Sequence, residues 1–155
     1  MDLYPLFRAI EASELGRAIK QSLWLFPAIE AVHLVALAFL GGALLMLDLR
    51  LLGVGLTLKS VSSVERDARP WLIGALITMI GTGTMIGVSE ALKLYDRDAF
   101  WVKMTALATA IFFTFAIKQP MAHRDVSGIG AKALGIISIS LWLTVAIAGR
   151  WIGFS

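Results

Sequence analysis

The chain has 155 residues, of which 58% are hydrophobic and 16% are charged, and its mean hydropathy is +0.80. This composition is too apolar for a soluble domain of this length and indicates an integral membrane protein. The 14 Lys and Arg residues outnumber the 11 Asp and Glu residues without forming a basic run, so nucleic acid is not an expected partner. The absence of cysteine excludes disulfides, thiolate metal sites and iron–sulfur clusters.

Residues 1–21 have the pattern of an amphipathic segment. Leu3, Leu6, Phe7 and Ile10 recur at helical spacing among charged residues, and Ser13 is a candidate helix N-cap. We therefore expect one or two helices that lie at the membrane interface.

Four apolar segments follow, at about residues 27–47, 71–92, 100–117 and 133–152. Each is long enough, or nearly so, to cross about 30 Å of hydrocarbon as a helix. Their apolar runs do not alternate as barrel strands do, and backbone groups in lipid need internal partners. The sequence predicts an all-α integral membrane protein, a four-transmembrane-helix up-down bundle with an N-terminal amphipathic helix in one domain, 1–155. Residues 60–69 have a polar helical pattern and form a predicted connection that ends at Pro70.

The first apolar segment carries two ionisable residues near its start. Pro27 suits the first turn of a helix, and Glu30 and His33 then stand at positions i and i+3 on one face. Ionisable residues are costly in lipid and usually face a bundle interior or a watery cavity. They are therefore candidate functional residues.

Small residues dominate one side of the second apolar segment. Gly83 and Gly87 form a G-x-x-x-G pattern, which is typical of close packing between membrane helices. We expect this side to support self-association or packing on a partner, as a homo-oligomer or within a larger membrane complex.

Antiparallel helices bring chemically active residues to one end of the bundle. The start of the first segment, the end of the second and the start of the third share that end, so the candidate cofactor-binding residues are His33, Glu30, Glu90 and Lys103, with His33 the candidate metal ligand. Glu90 and Lys103 are expected to form a charge pair. At the opposite end, Asp48 and Arg50 are expected to form an interfacial pair or to contact lipid headgroups, and His123 lies in a predicted polar loop. Each end carries seven Lys and Arg residues, which leaves membrane orientation open.

Several motifs resemble a bacterial family of small four-helix integral membrane proteins of unknown function. They are S-x-W-x-F-P-x-x-E-x-x-H at 22–33, L-D-L-R-L-L-G at 47–53, R-P-W at 69–71, T-G at 82–83 and A-F-x-x-K at 99–103. The family resembles, more distantly, copper-resistance D-type membrane domains and b-type cytochrome bundles. The resemblance implies haem b or copper handling and location in the bacterial cytoplasmic (inner) membrane, as a multi-pass protein. Bis-histidine cytochrome bundles use at least two intramembrane histidines, whereas this chain has one.

Three functions remain open from the sequence. The first is a subunit of a membrane redox complex with a haem b or quinone site near His33. The second is a non-catalytic scaffold in which the polar residues fix helix packing, and the third is copper or other cation transport or sensing through Glu30, His33 and Glu90. No hydrolase triad, nucleotide loop or zinc-protease helix is found, so an autonomous enzyme is not expected.

Overall fold

The computed structural model describes residues 3–154, with side chains described for residues 3–152. This part of the chain is helical, with no strand. The elements are α1 (Tyr4–Glu11), α2 (Glu14–Gln21), α3 (Leu25–Leu52), α4 (Val61–Ser89), α5 (Ala91–Tyr95), α6 (Asp98–Phe112), a π-helical segment (Phe113–Lys118), α7 (Gln119–His123) and α8 (Gly128–Phe154).

Four helical units are long and apolar enough to cross a membrane. They are α3, α4, the continuous unit 98–123 formed by α6, the π-helical segment and α7, and most of α8. α3 packs against α4 and α8, and α8 packs against α6. The predicted all-helical class and the four long apolar helices are confirmed.

The core lies between these helices in two groups of buried apolar side chains. One group joins α3 to the middle of α4 through Leu40, Leu44, Leu72 and Leu76. The other lies toward the α7 end and includes Leu47, Leu51, Val64 and Leu134. Burial of apolar side chains does not itself drive helices together in lipid, so contacts between backbones and between polar groups gain importance.

The predicted helix start at Pro70 is wrong. α4 begins at Val61, where the Ser60 side chain caps the helix by accepting a bond from the Ser63 N–H at 3.1 Å, and it continues through Pro70 to Ser89. A proline inside a helix removes one hydrogen bond. Here the buried stripe of Val64, Ala68 and Leu72 runs unbroken past Pro70 against α3. We infer that packing of this stripe outweighs the lost bond.

The third long helix does not end at residue 117. It widens into the π-helical segment and continues as α7 to His123, where a polar loop was predicted. Pro120 lies in the first turn of α7, where its missing N–H has the least effect. Lys118 resembles a helix-ending residue in sequence, but its side chain is fully buried.

The N-terminal segment folds as two helices that pack on the bundle end. α1 packs against α5, and α2 packs against α4. The Glu11 carboxylate accepts hydrogen bonds from the Leu92 backbone N–H at 2.8 Å and from Lys20 Nζ at 2.7 Å. Gly16 is needed here, because a Cβ at that position would lie 2.6 Å from the Glu11 carbonyl oxygen. One carboxylate thus ties α1 and α2 to the start of α5.

Replacing Glu11 with Gln should loosen this N-terminal cap. The hydrogen bonds from Lys20 and from the Leu92 N–H hold the pKa of the Glu11 carboxyl below its ordinary value. Its stabilising contribution is therefore present near neutral pH and is lost as acid protonates the carboxyl. Because hydrogen bonds to charged groups are the stronger kind, we expect roughly tenfold faster amide hydrogen exchange across residues 4–21 in Glu11→Gln. Glu14→Gln is the control, and equal exchange in both variants would contradict the assignment.

Candidate functional site

His33 on α3 is held by a threonine of α4. His33 Nδ1 lies 2.8 Å from Thr82 Oγ1, and the Thr82 hydroxyl donates to the Thr78 carbonyl oxygen at 2.6 Å. A hydroxyl has one hydrogen, so Thr82 Oγ1 is the acceptor in its contact with the imidazole. The hydrogen-bond network therefore places a proton on His33 Nδ1, and the neutral form of this imidazole carries its lone pair on Nε2. Within residues 3–152, Nε2 has no hydrogen-bond partner.

Gly83 allows the imidazole to approach α4 closely. A Cβ at position 83 would lie 3.2 Å from His33 Cε1, which is tighter than ordinary side-chain contact. The nearest contact at Gly87 is the Leu94 side chain at 3.8 Å. Gly83 thus accommodates a side chain of its own chain, whereas the sequence pattern suggested an external helix. Oligomerisation itself stays a prediction.

Lys103 on α6 reaches across to α8. Its side chain lies along Gly149, where a Cβ would be 3.4 Å from Nζ and 3.5 Å from Cε. Lys103 and His33 are near enough for their charges to interact. Lys103 forms no hydrogen bond or ion pair with any described side chain.

The two predicted carboxylates do not complete a bonded cluster with His33 and Lys103. Glu30 is exposed on α3 and influences His33 only through its charge. Glu90 Oε2 lies 3.8 Å from Lys93 Nζ, and the expected Glu90–Lys103 pair is not formed in the described structure. The orienting partner of His33 is Thr82, which the sequence marked only as part of the T-G motif at 82–83. The sequence signal that could have identified this partner is a polar side chain on the neighbouring helix at the same depth as His33.

This arrangement offers one acceptor and one cation to a ligand. The Nε2 lone pair of His33 is suited to a metal ion or to a hydroxyl donor, and the Lys103 ammonium is suited to an oxygen acceptor. The described residues contain no group of three or more His, Cys, Asp or Glu side chains placed to hold a metal. A metal at His33 would therefore need ligands from elsewhere.

A second polar site lies near the opposite end and was missed in the sequence. Lys118 Nζ lies 2.9 Å from Asp48 Oδ1 and 2.7 Å from Ser138 Oγ, and the Ser138 hydroxyl donates to Asp48 Oδ2 at 2.9 Å. All three residues are at most 1% exposed. We call this group the buried triad. The expectation that Asp48 pairs with Arg50 or contacts lipid headgroups is wrong, and Arg50 Nε instead donates to the Lys59 carbonyl oxygen.

The buried triad is closed and electrically balanced. One ammonium, one carboxylate and one hydroxyl satisfy each other across α3, the π-helical segment and α8. Adding or removing a proton would leave one charge buried without its partner, which is costly in a low-dielectric interior. We therefore assign the buried triad to helix positioning.

His123 is close to a buried carboxylate. Its side chain is 58% exposed, and its Nδ1 lies 3.2 Å from Oε2 of Glu65, whose side chain is 2% exposed. His123, which was predicted to lie in a polar loop, therefore contacts α4 from the end of α7. It lies at the triad end of the bundle, as the sequence predicted.

No curated protein and no solved structure matches the chain. The model of a family of unknown function, DUF6644, matches residues 6–155, and the chain belongs to that family.

Proposed function

We propose that the chain is a subunit of a membrane redox complex that binds a quinone or haem b at His33. The observation that carries the proposal is the orientation of the imidazole, because Thr82 accepts from Nδ1 and leaves Nε2 without a described partner, where the neutral ring has its lone pair. Gly83 keeps the ring against α4, and Lys103 supplies a nearby positive charge. The proposal includes a multi-pass location in the bacterial cytoplasmic membrane.

The two ligands fit these residues to different extents. A quinone in its reduced, quinol form carries a hydroxyl that can donate to the His33 Nε2 lone pair and an oxygen that can accept from Lys103, so both partners lie within one chain. A haem iron would take His33 Nε2 as one axial ligand. Its second ligand would come from a methionine, from His33 of a second copy or from another subunit. A quinone in its quinol form is therefore the better fit to the isolated chain. Either group, when bound, supplies electron transfer, and the chain supplies binding and orientation.

A scaffold function is the second candidate. It is favoured by the buried triad, which joins three helices and whose polar groups are bonded to each other rather than to a ligand. In that case His33 and Thr82 would act as one more helix-to-helix bond. A copper or cation site through Glu30, His33 and Glu90 has less support, because Glu30 is exposed and Glu90 lies beside Lys93.

Replacing His33 with Ala should remove ligand binding. Decylubiquinol and haem would be titrated separately into detergent-purified wild type and variants, with haem uptake followed by its absorption band. Loss of a hydrogen bond or a metal ligand at Nε2 should weaken binding by roughly tenfold or more. His123→Ala is the matched control, because it removes the other histidine.

Wild type that binds neither quinone nor haem, while properly folded, would remove the redox proposal. Equal binding by wild type and His33→Ala would remove His33 from the site. Either result would place the scaffold function ahead.

A further inference from the structure

Lys103 is a cation among apolar helices with no anionic partner in the described structure. It forms neither an ion pair nor a hydrogen bond with residues 3–152. Unpaired charges are costly in a membrane interior and are usually retained for function. The other lysine of the same helical unit, Lys118, is fully buried and fully bonded within the buried triad. One lysine of this unit is therefore satisfied by the fold, and the other is not.

The Lys103 side chain lies along Gly149. Its Cδ, Cε and Nζ lie within 3.4–3.7 Å of the position that a Cβ on Gly149 would occupy. These are ordinary van der Waals distances, so the stem packs beside the Gly149 backbone where the ammonium crosses from α6 to α8. The ammonium is thereby held near His33, whose charge it influences. The nearby acidic residues do not reach it, since Glu30 is exposed and Glu90 lies beside Lys93.

Few close backbone contacts join α4 and α6. α6 packs on α8 and α4 packs on α3, whereas α4 and α6 make at most marginal contact. At the opposite end, α4 packs against α7 and closes the same seam. His33, Thr82 and Lys103 are all partly exposed. A ligand would thus reach them sideways, between α4 and α6, from the surface that faces lipid in a membrane.

We propose that Lys103 is the anion-binding group of the His33 site and that the ligand is a lipid-soluble molecule with a negatively charged oxygen. The location of the site rests on the proposed function, but the charge of the ligand does not. Two sources share this chemistry. One is a carboxylate amphiphile such as a fatty acid, and the other is a quinone, whose oxygens gain negative charge when it is reduced. The ammonium donates to that oxygen by a charge-assisted hydrogen bond.

The first test compares two probes that differ only in headgroup charge. Binding of oleate and of oleyl alcohol would be measured for wild type, Lys103→Met and Lys103→Arg in neutral detergent. Loss of one charge-assisted bond should weaken oleate binding roughly tenfold to a hundredfold in Lys103→Met. Lys103→Arg should retain binding because it keeps the charge, and oleyl alcohol should bind equally to all three proteins. Lys93→Met, which removes an exposed lysine one turn before α6, is the control.

The second test uses decylubiquinone. If the source is a quinone, Lys103→Met should make bound decylubiquinone harder to reduce than in wild type, because the positive charge that favours the reduced form is removed. If Lys103→Met weakens oleate binding but does not change the reduction of decylubiquinone, the carboxylate amphiphile is the source. The quinone function would then fail while the anion site stands. If Lys103→Met changes only the reduction of decylubiquinone, the quinone is the source.

Thermal unfolding separates a ligand-binding lysine from a structural one. Removing an unpaired cation should leave stability unchanged or raised in Lys103→Met, whereas removing a structural partner would lower it. Unchanged affinity for oleate and unchanged reduction of decylubiquinone in Lys103→Met would overturn the proposal. A marked loss of stability in the same variant would also overturn it. Quinone binding in His33→Ala would still decide the proposed function separately.

Discussion

Replacing Lys118 with Met should lower the free energy of unfolding by about 3–5 kcal/mol, the range for breaking a buried ion pair. The variant leaves the Asp48 carboxylate buried with Ser138 as its remaining partner. The loss arises from the unpaired charge more than from the missing contact, because both groups are at most 1% exposed. Reversible unfolding in mixed detergent micelles measures the difference.

The double variant Asp48→Asn with Lys118→Met tests whether the unpaired charge causes the loss of stability. It removes both charges while the introduced amide keeps polar atoms for Ser138, so it should recover much of the lost stability. Lys59→Met is the control for an ion pair of similar length. Lys59 lies 2.8 Å from Asp67, but both side chains are 54% exposed, so the loss there should be only about 0–1 kcal/mol. Similar losses at Lys118 and Lys59 would contradict the role given to the buried triad.

Replacing Gly135 with Val should separate α8 from α3 next to the buried triad. A Cβ at position 135 would lie 3.1 Å from the Asp48 carbonyl oxygen and 3.2 Å from Leu52 Cγ. The first neighbour is backbone and cannot rotate away, so α8 must shift. Overpacking of this kind lowers the free energy of unfolding by about 1–3 kcal/mol.

Gly41→Val is the matched substitution for this test. Gly41 is also helical, on α3, but nothing lies within 4 Å of its added Cβ. The difference between the two variants therefore measures helix separation apart from the general effect of valine in a helix. A smaller loss for Gly135→Val than for Gly41→Val would show that α8 does not need this close approach.

The two ends of the bundle have different chemistry. At one end, the buried triad joins three helices and α7 packs on α4, so polar groups are satisfied and the seam is closed. At the other, His33 Nε2 and the Lys103 ammonium remain without partners in the described structure, and few close backbone contacts join α4 and α6. We infer that the first end supplies stability and that the second supplies the ligand site. For this reason, removing Lys118 is expected to lower stability, whereas removing Lys103 is expected to leave it unchanged or to raise it.

Hydropathy alone determined that the chain forms four long apolar helices. A segment of about 20 apolar residues can satisfy its backbone groups in lipid only as a helix, so the number of such helices follows from composition and length. Alternating helix direction also placed His33 and Lys103 at one end of the bundle and His123 at the other. The helix ends predicted from the sequence were less accurate. Pro70 and Lys118 resemble helix boundaries locally, but packing continues the helix through both.

Only the tertiary structure decided which residues meet. Sequence position gives the height of a residue along its helix, but the rotation of that helix about its axis is set by packing against all its neighbours. That rotation turned Asp48 toward Lys118 and Ser138, and it turned Gly83 toward His33. It also left Lys103 beside Gly149 without a counter-ion in the described structure, because the expected partner Glu90 lies beside Lys93.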